Sequence, residues 1–325
     1  MRSRALLVAA AVAAATVAPV TSAHSMVIAK CAPGGVLAGR AAVDPIAERG
    51  IPVSMHSHDF YGNTALLSLP DREWATFAEL VGQPSTCTQL PTDSAAYWQP
   101  TLFVAGQPLT AYRMEAYYRS WSHGVNDPSG VTQPLPADTR MIAGNSMALG
   151  PSGIDTKHIF WSCGQFSSKP GTNPKDHFTD PAAADCATAT GTVYLTLAVN
   201  FPSCWDGQLN DHTVVGNTAD FDGDPMSGVV NHFAYATGSP LNCPAKFPIK
   251  VTQVSENISF NYHGNGTDVT LASGPGWTAH ADFLDAWPTT VMNDMIATCV
   301  DTTLSEATLH TMYESVCGPP LHQAS

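Results

Sequence analysis

Eight cysteines constrain this chain more than any other feature: Cys31, Cys87, Cys163, Cys186, Cys204, Cys243, Cys299 and Cys317. An even number is informative only where thiols oxidise, and the first residues supply that setting. Arg2 and Arg4 precede an unbroken run of small and apolar residues from Ala5 to Ala18, and Thr21-Ser22-Ala23 then places small side chains at the cleavage position. That is the pattern of a secretory signal peptide over residues 1–23, too short to act as a stable spanning helix. No later stretch approaches the roughly 18 apolar residues that cross a bilayer. The expected product is secreted and extracellular, with no membrane anchor. In that compartment the cysteines read as four disulfides. No Cys-x-x-Cys pair occurs, which argues against a zinc ribbon or a thioredoxin-like site. Proximity pairs Cys163 with Cys186, Cys204 with Cys243 and Cys299 with Cys317, leaving Cys31 with Cys87.

The rest of the composition favours strands and turns. Glycine and proline number 25 each, and both interrupt long helices. Apolar strand patterns occur at 101–104, 109–121, 140–143, 158–163, 192–201, 229–236 and 248–262. The run at 192–201 is apolar almost throughout, as expected of a strand buried on both faces. A short helix is expected over 71–81, where Trp74, Phe77 and Leu80 recur at helical spacing. Two short amphipathic helices are expected near 291–299 and 305–316. These elements predict a mainly β fold: a single β-sandwich or jelly-roll-like domain with long disulfide-tied loops and a short helical C-terminal tail. A β domain with a small helical cap is the alternative. The expected division is an N-terminal arm at 24–42, the β domain at 43–288 and the tail at 289–325.

Charge excludes one class of partner. The signal peptide carries two of the 14 basic residues and none of the 27 acidic ones, so the mature chain has a formal charge of -15. Such a chain repels phosphate backbones, and nucleic acid is not an expected partner.

The chemistry gathers in four clusters. The first is His56-Ser57-His58-Asp59, in which an extended backbone puts His56 and His58 on one face and Asp59 on the other. The second is Asp206, Asp211 and His212, with His232 further on. The third is His280-Ala281-Asp282, whose His and Asp share a face. The fourth is aromatic: Trp98, Tyr117, Tyr118, Trp205 and Trp287. Two histidines on one face can ligate a divalent metal if His232, His280 or Asp282 completes the set. They can instead move protons beside a carboxylate, or simply bond to backbone in a loop-rich core. Asp206 beside Trp205 has the surroundings that raise a carboxyl pKa and make an acid; a turn at Asp206-Gly207 is the structural reading. The aromatic rings can stack on sugars or pack a core. No cofactor is firmly implied.

Asp220-Phe221-Asp222-Gly223-Asp224 resembles a calcium loop but lacks the EF-hand spacing. Cleavage after Ala23 would expose His24 as an N-terminal copper ligand of the histidine-brace type. No Gly-x-Ser-x-Gly, P-loop or His-Glu-x-x-His occurs, which leaves serine hydrolase, nucleotide and zincin chemistry without local support.

Several segments together resemble a known family. They are His56-Ser57-His58-Asp59-Phe60-Tyr61-Gly62-Asn63, Tyr97-Trp98-Gln99-Pro100, Tyr117-Tyr118-Arg119 and Arg140-Met141-Ile142-Ala143-Gly144-Asn145. Then come Phe201-Pro202-Ser203-Cys204-Trp205-Asp206-Gly207, Asp211-His212, His232-Phe233-Ala234-Tyr235 and His280-Ala281-Asp282-Phe283. In this order, over roughly 43–288, they resemble the domain of unknown function numbered nineteen-ninety-six, found in secreted fungal and bacterial proteins. The chain departs from the pattern at 213–231, an insertion, and at Asp285, where the family often has Asn. The resemblance implies a secreted, disulfide-tied domain associated with cell-wall or biomass polysaccharides, and it brings no assigned catalytic residues.

The resulting expectation is a carbohydrate-active protein, a glycan hydrolase. Asp206 or Asp282 would serve as acid, Asp59 or Asp211 would activate water or stabilise positive charge, and His56, His58, His212, His232 and His280 would orient the sugar. Trp98, Tyr118, Arg119, Asn145, Trp205 and Trp287 are the candidate substrate contacts. A non-enzymatic glycan or cell-wall binder and a metal-dependent extracellular enzyme are the two alternatives.

Overall fold

The computed structural model describes residues 26–88, 90, 92–119, 132–163, 177–188, 194–209, 232–238 and 241–300. Ten strands form two five-stranded antiparallel sheets. In chain order they are β1 (Met26–Lys30), β2 (Gly39–Ala41), β3 (His58–Gly62), β4 (Ala96–Pro100) and β5 (Arg113–Arg119), then β6 (Arg140–Gly144), β7 (Ile159–Cys163), β8 (Leu195–Asn200), β9 (Gln253–Phe260) and β10 (His280–Leu284). The first sheet runs β1-β5-β9-β8-β7 and the second β2-β3-β4-β10-β6. Shorter ribbons, including Cys204–Trp205 between Phe233–Ala234 and Ile249–Lys250, flank them.

The sheets pack face to face as a sandwich. Val27, Met114, Tyr118, Trp161, Leu197, Val254 and Ile258 of the first sheet share one buried cluster with Tyr61, Tyr97, Met141, Ala281 and Phe283 of the second. These residues occupy alternate positions on their strands, which is why one inner face collects them. The second sheet is also covered outside. Phe60, Trp98, Ile142 and Leu284, on the opposite face of the same strands, form a second cluster with Val43, Ile46, Leu66 and Leu80 from the connections around β3. Strands β3, β4 and β10 are therefore buried at every residue. The mainly β sandwich expected from the sequence is the observed fold.

The disulfides Cys31–Cys87, Cys163–Cys186 and Cys204–Cys243 pair as proximity suggested. Each closes a loop of the size for which a bridge contributes about 2–4 kcal/mol. Cys317, the expected mate of Cys299, lies outside the described residues. No helix among the described residues is long and apolar enough to cross a membrane.

The short C-terminal helix expected near 291–299 is present, and the one expected at 305–316 lies outside the described residues. Residues 26–30 and 39–41, within the expected N-terminal arm, pair with β5 and β3 and supply an edge strand to each sheet. The helix over 71–81 is two single turns, Arg72–Trp74 and Phe77–Leu80. The break is at Ala75, whose backbone is extended and whose carbonyl accepts a 2.6 Å bond from the buried Arg140 guanidinium. The C-terminal helix begins at Thr289–Met295 and continues as a wider turn to Val300.

Candidate metal centre

The outer face of the second sheet brings His58 and His280 together. His58 pairs with Pro100 across β3 and β4. Asp282 pairs with Trp98 across β10 and β4, and the same register continued by two residues sets His280 on the other side of Pro100. The two histidines thus stand two strands apart in one row. The small proline ring between them leaves space for both imidazoles to lean inward. His280 also pairs with Gly144, where a Cβ would fall 2.3 Å from the Ala279 carbonyl oxygen and 2.6 Å from His280 Cα. Only glycine lets β6 approach there, at φ +99°. His56, two residues before β3, swings its ring over the same spot.

Three imidazole nitrogens converge as a result. His56 Nε2 lies 3.2 Å and His58 Nε2 3.4 Å from His280 Nε2. The rings of His56 and His280 and of His58 and His280 meet edge-on, at 85° and 81°. The far sides of two rings are anchored. The Nδ1–H of His58 donates to the Val43 carbonyl at 3.1 Å, and that of His280 to the Thr278 carbonyl at 3.0 Å. A carbonyl can only accept, so in the neutral ring the proton is on Nδ1 and Nε2 carries a bare lone pair.

The rings are held neutral. Burial pushes the His280 pKa down to about 3, with His56 adding to the effect. Burial pushes His58 well below its ordinary value, with further lowering by His280 and His56. His56 is lowered by burial as well, against the nearby negative charge of Glu48. His56 can cover one facing lone pair with its own N–H. The other contact remains, nitrogen lone pair against lone pair, which is unfavourable without a cation between them. Two nitrogens about 2.05 Å from a tetrahedral zinc lie about 3.3 Å apart. The observed 3.2 and 3.4 Å are that edge length. Ligating histidines usually donate their second N–H to a carbonyl or carboxylate, and both anchors are in place.

Below the histidines the sheet carries a fully buried carboxylate. Asp282 follows His280 by two residues on the same face, and among the described residues neither of its oxygens has a hydrogen-bond partner. Asp44 sits close by, its Oδ1 accepting from the backbone N–H groups of Ile46 and Ala47, both at 2.9 Å. Burial raises the Asp44 pKa to about 6. Burial, then Asp44 and Glu256, push Asp282 well above the ordinary carboxylate range. Ligand atoms of Asp44, His58 and Asp282 all lie within 4.8 Å of one another, as do those of His56, His58 and His280.

Other expected site residues go elsewhere. Asp59 points to the opposite face of β3, as the alternation required. There it is locked to Arg40, with Nη2 2.9 Å from Oδ2, and accepts from Thr101 at 2.9 Å. It is a structural anchor and not a base. Asp206 accepts from or shares a proton with His232 Nδ1 at 2.9 Å, and its Oδ1 caps Gln208 N. That pair sits on the small ribbon, and among the described residues no hydrogen bond joins it to the three histidines. Asp211 and His212, like His24 and the acidic stretch at 220–224, lie outside the described residues.

The aromatic and polar candidates divide by burial. Trp98, Tyr118 and Trp287 are covered completely or nearly so and offer no ring face to a sugar. Trp98 stacks on Phe60, and Trp287 donates to the Tyr118 hydroxyl at 2.8 Å. Arg119 spends its guanidinium on Asn200, Ser255 and Gln253. Asn145 is exposed and caps Met147 N, and Trp205 is half-buried. Sequence reasoning missed Asp44, Glu48 and Pro100. Asp44-Pro45 precedes the histidines by a dozen residues with no periodicity to link them, and Pro100 signals its role only once strand register is known.

The fold and the site together define a disulfide-tied β-sandwich with a three-imidazole cluster on the outer face of one sheet. The chain belongs to the family described as Domain of unknown function (DUF1996), whose model matches residues 44–287. That span begins at Asp44 and includes all three histidines. No curated protein and no solved structure matches the chain.

Proposed function

We propose that this chain is a secreted, metal-dependent hydrolase acting on glycans, with a single divalent ion, zinc in the first instance, held by His56, His58 and His280. One observation carries the proposal: His56 Nε2 and His58 Nε2 both stand at metal-edge distance from His280 Nε2, with ligand atoms of all three rings within 4.8 Å of one another and two rings anchored from behind. Three histidines leave a tetrahedral ion one open position. His56 is only partly buried and marks the side from which solvent reaches the cluster. Zinc bound by three histidines lowers the pKa of its water to about 7, supplying a nucleophile at neutral pH. Glu48, close enough to His56 to act on its charge, is the carboxylate available on that side.

This reading is favoured over a metal-free mechanism that pairs Asp59 with Asp282. Asp59 is engaged in an ion pair and Asp282 is sealed from solvent, so neither can flank a glycosidic oxygen as acid or base. Glycan remains the proposed substrate class: the acidic chain disfavours polyanions, and the family resemblance points to wall and biomass polysaccharides. Export is supported by the leader-like start and by the three disulfides.

The test is sugar release from a panel of cell-wall polysaccharides by the purified protein. Activity that chelator removes, zinc restores and His280→Ala abolishes is the expected result. Metal binding with no product from any polysaccharide would replace the hydrolase with a metal-bearing binder. Chelator-insensitive activity would overturn the metal centre.

A further inference from the structure

Asp282 presents a problem that the three-histidine centre does not solve. Its carboxyl is fully buried and both oxygens lack a partner among the described residues. Asp44 and Glu256, both acidic, act on its charge. Asp44 has one oxygen committed to the N–H groups of Ile46 and Ala47, and its carboxyl lies within 4.8 Å of those of Asp282 and the ring of His58. Two buried acids side by side are costly as a pair of charges. A native interior resolves this with a shared proton or with a cation.

We infer that Asp44 and Asp282 hold a second divalent cation beside His58, making the outer face of the second sheet a paired-cation centre. The inference rests on the three-histidine reading and extends it. His58 belongs to both donor groups, so the two positions are neighbours; its Nε2 serves the first ion while Asp44 and Asp282 face the second. The donors differ in kind: nitrogen only at the first ion, carboxylate oxygen dominating at the second. The second position therefore suits a harder ion, manganese as well as zinc. The pattern is written in the alternation of β10, where His280 and Asp282 share a face and serve adjacent ions.

The test is metal stoichiometry of the full chain, stripped with chelator, reloaded with zinc or manganese alone, dialysed and measured by elemental analysis. Two equivalents per chain are expected for the wild type and one for Asp282→Asn. His280→Ala should lose the other. Asp44→Asn gives a second route should Asp282→Asn not fold, with folding checked by circular dichroism. Manganese-loaded wild type should show the exchange-coupled electron paramagnetic resonance signal of neighbouring ions, and Asp282→Asn should not. One equivalent in the wild type, unchanged by either Asn variant, would overturn the second ion in favour of a proton-sharing carboxyl pair while leaving the first centre intact. No retained metal would overturn both.

Discussion

Replacing Asp59 with asparagine separates the two faces of strand β3. Asp59 and His58 are neighbours in sequence, yet they point to opposite sides of the sheet. Asp59 is completely buried, paired with Arg40 through Nε and Nη2 of one guanidinium edge and bonded to Thr101. Asparagine keeps the shape but leaves a cation facing a neutral amide. Breaking a buried ion pair costs about 3–5 kcal/mol. Arg40 keeps 29% of its side-chain surface exposed and can recover some hydration, which puts the loss near the lower end, about 3 kcal/mol. At about 2–4 °C per kcal/mol for a chain of this size, Tm should fall by about 6–12 °C. The assay is thermal unfolding with and without zinc. The melting point should drop in both series, while the rise produced by zinc stays the same as in the wild type. Loss of the zinc-induced rise in a folded Asp59→Asn protein would refute the division of labour, and so would an unchanged melting point.

Three further outcomes follow from the same geometry. Zinc at 100 times the Kd of the three-histidine site should stabilise the wild type by about 2.7 kcal/mol through that site, read as a Tm increase that His280→Ala reduces. Gly144→Ala places a methyl against the Ala279 carbonyl and His280 Cα at a left-handed φ; it should cost about 2 kcal/mol or more and weaken zinc binding at least tenfold in calorimetry. Asp93 is buried, with a pKa raised to about 7 by burial against hydrogen bonds from Tyr97 and Ala95. Its folded-state pKa lies above the unfolded one, so its ionised form opposes folding, and the folded state gains stability as pH falls below 7. Between pH 7 and 5.5 that gain is about 2 kcal/mol. The denaturation free energy of Asp93→Asn, subtracted from that of the wild type at each pH, should show it; a pH-independent difference would contradict it.

The sequence made the fold class legible because alternation and oxidised cysteines are local signals. Leu195–Asn200 and Gln253–Phe260 are recognisable from their apolar pattern, and three of the bridges join cysteines that lie close in order. The opposite placement of His58 and Asp59 also follows from period two, whereas His56 reaches the His58 side from a bend before the strand. What was not legible depends on register between distant strands. Nothing near residue 100 or residue 280 states that Pro100 separates two histidines 222 positions apart. The catalytic role expected of Asp59 overlooked Arg40, whose edge strand carries too few residues to show a pattern. The stacking role expected of Trp98, Tyr118 and Trp287 failed because burial is a property of both sheet faces, and the second sheet is covered on both. Asp206 and His232 did meet, on a ribbon of their own.

The most direct measurement is an anomalous difference map from crystals of the protein grown with zinc. The account predicts a zinc peak about 2.0–2.1 Å from the Nε2 atoms of His56, His58 and His280, with the Nδ1 contacts to Val43 and Thr278 intact. Zinc bound only at other sites, with the three rings rotated apart or bonded to one another, would contradict it.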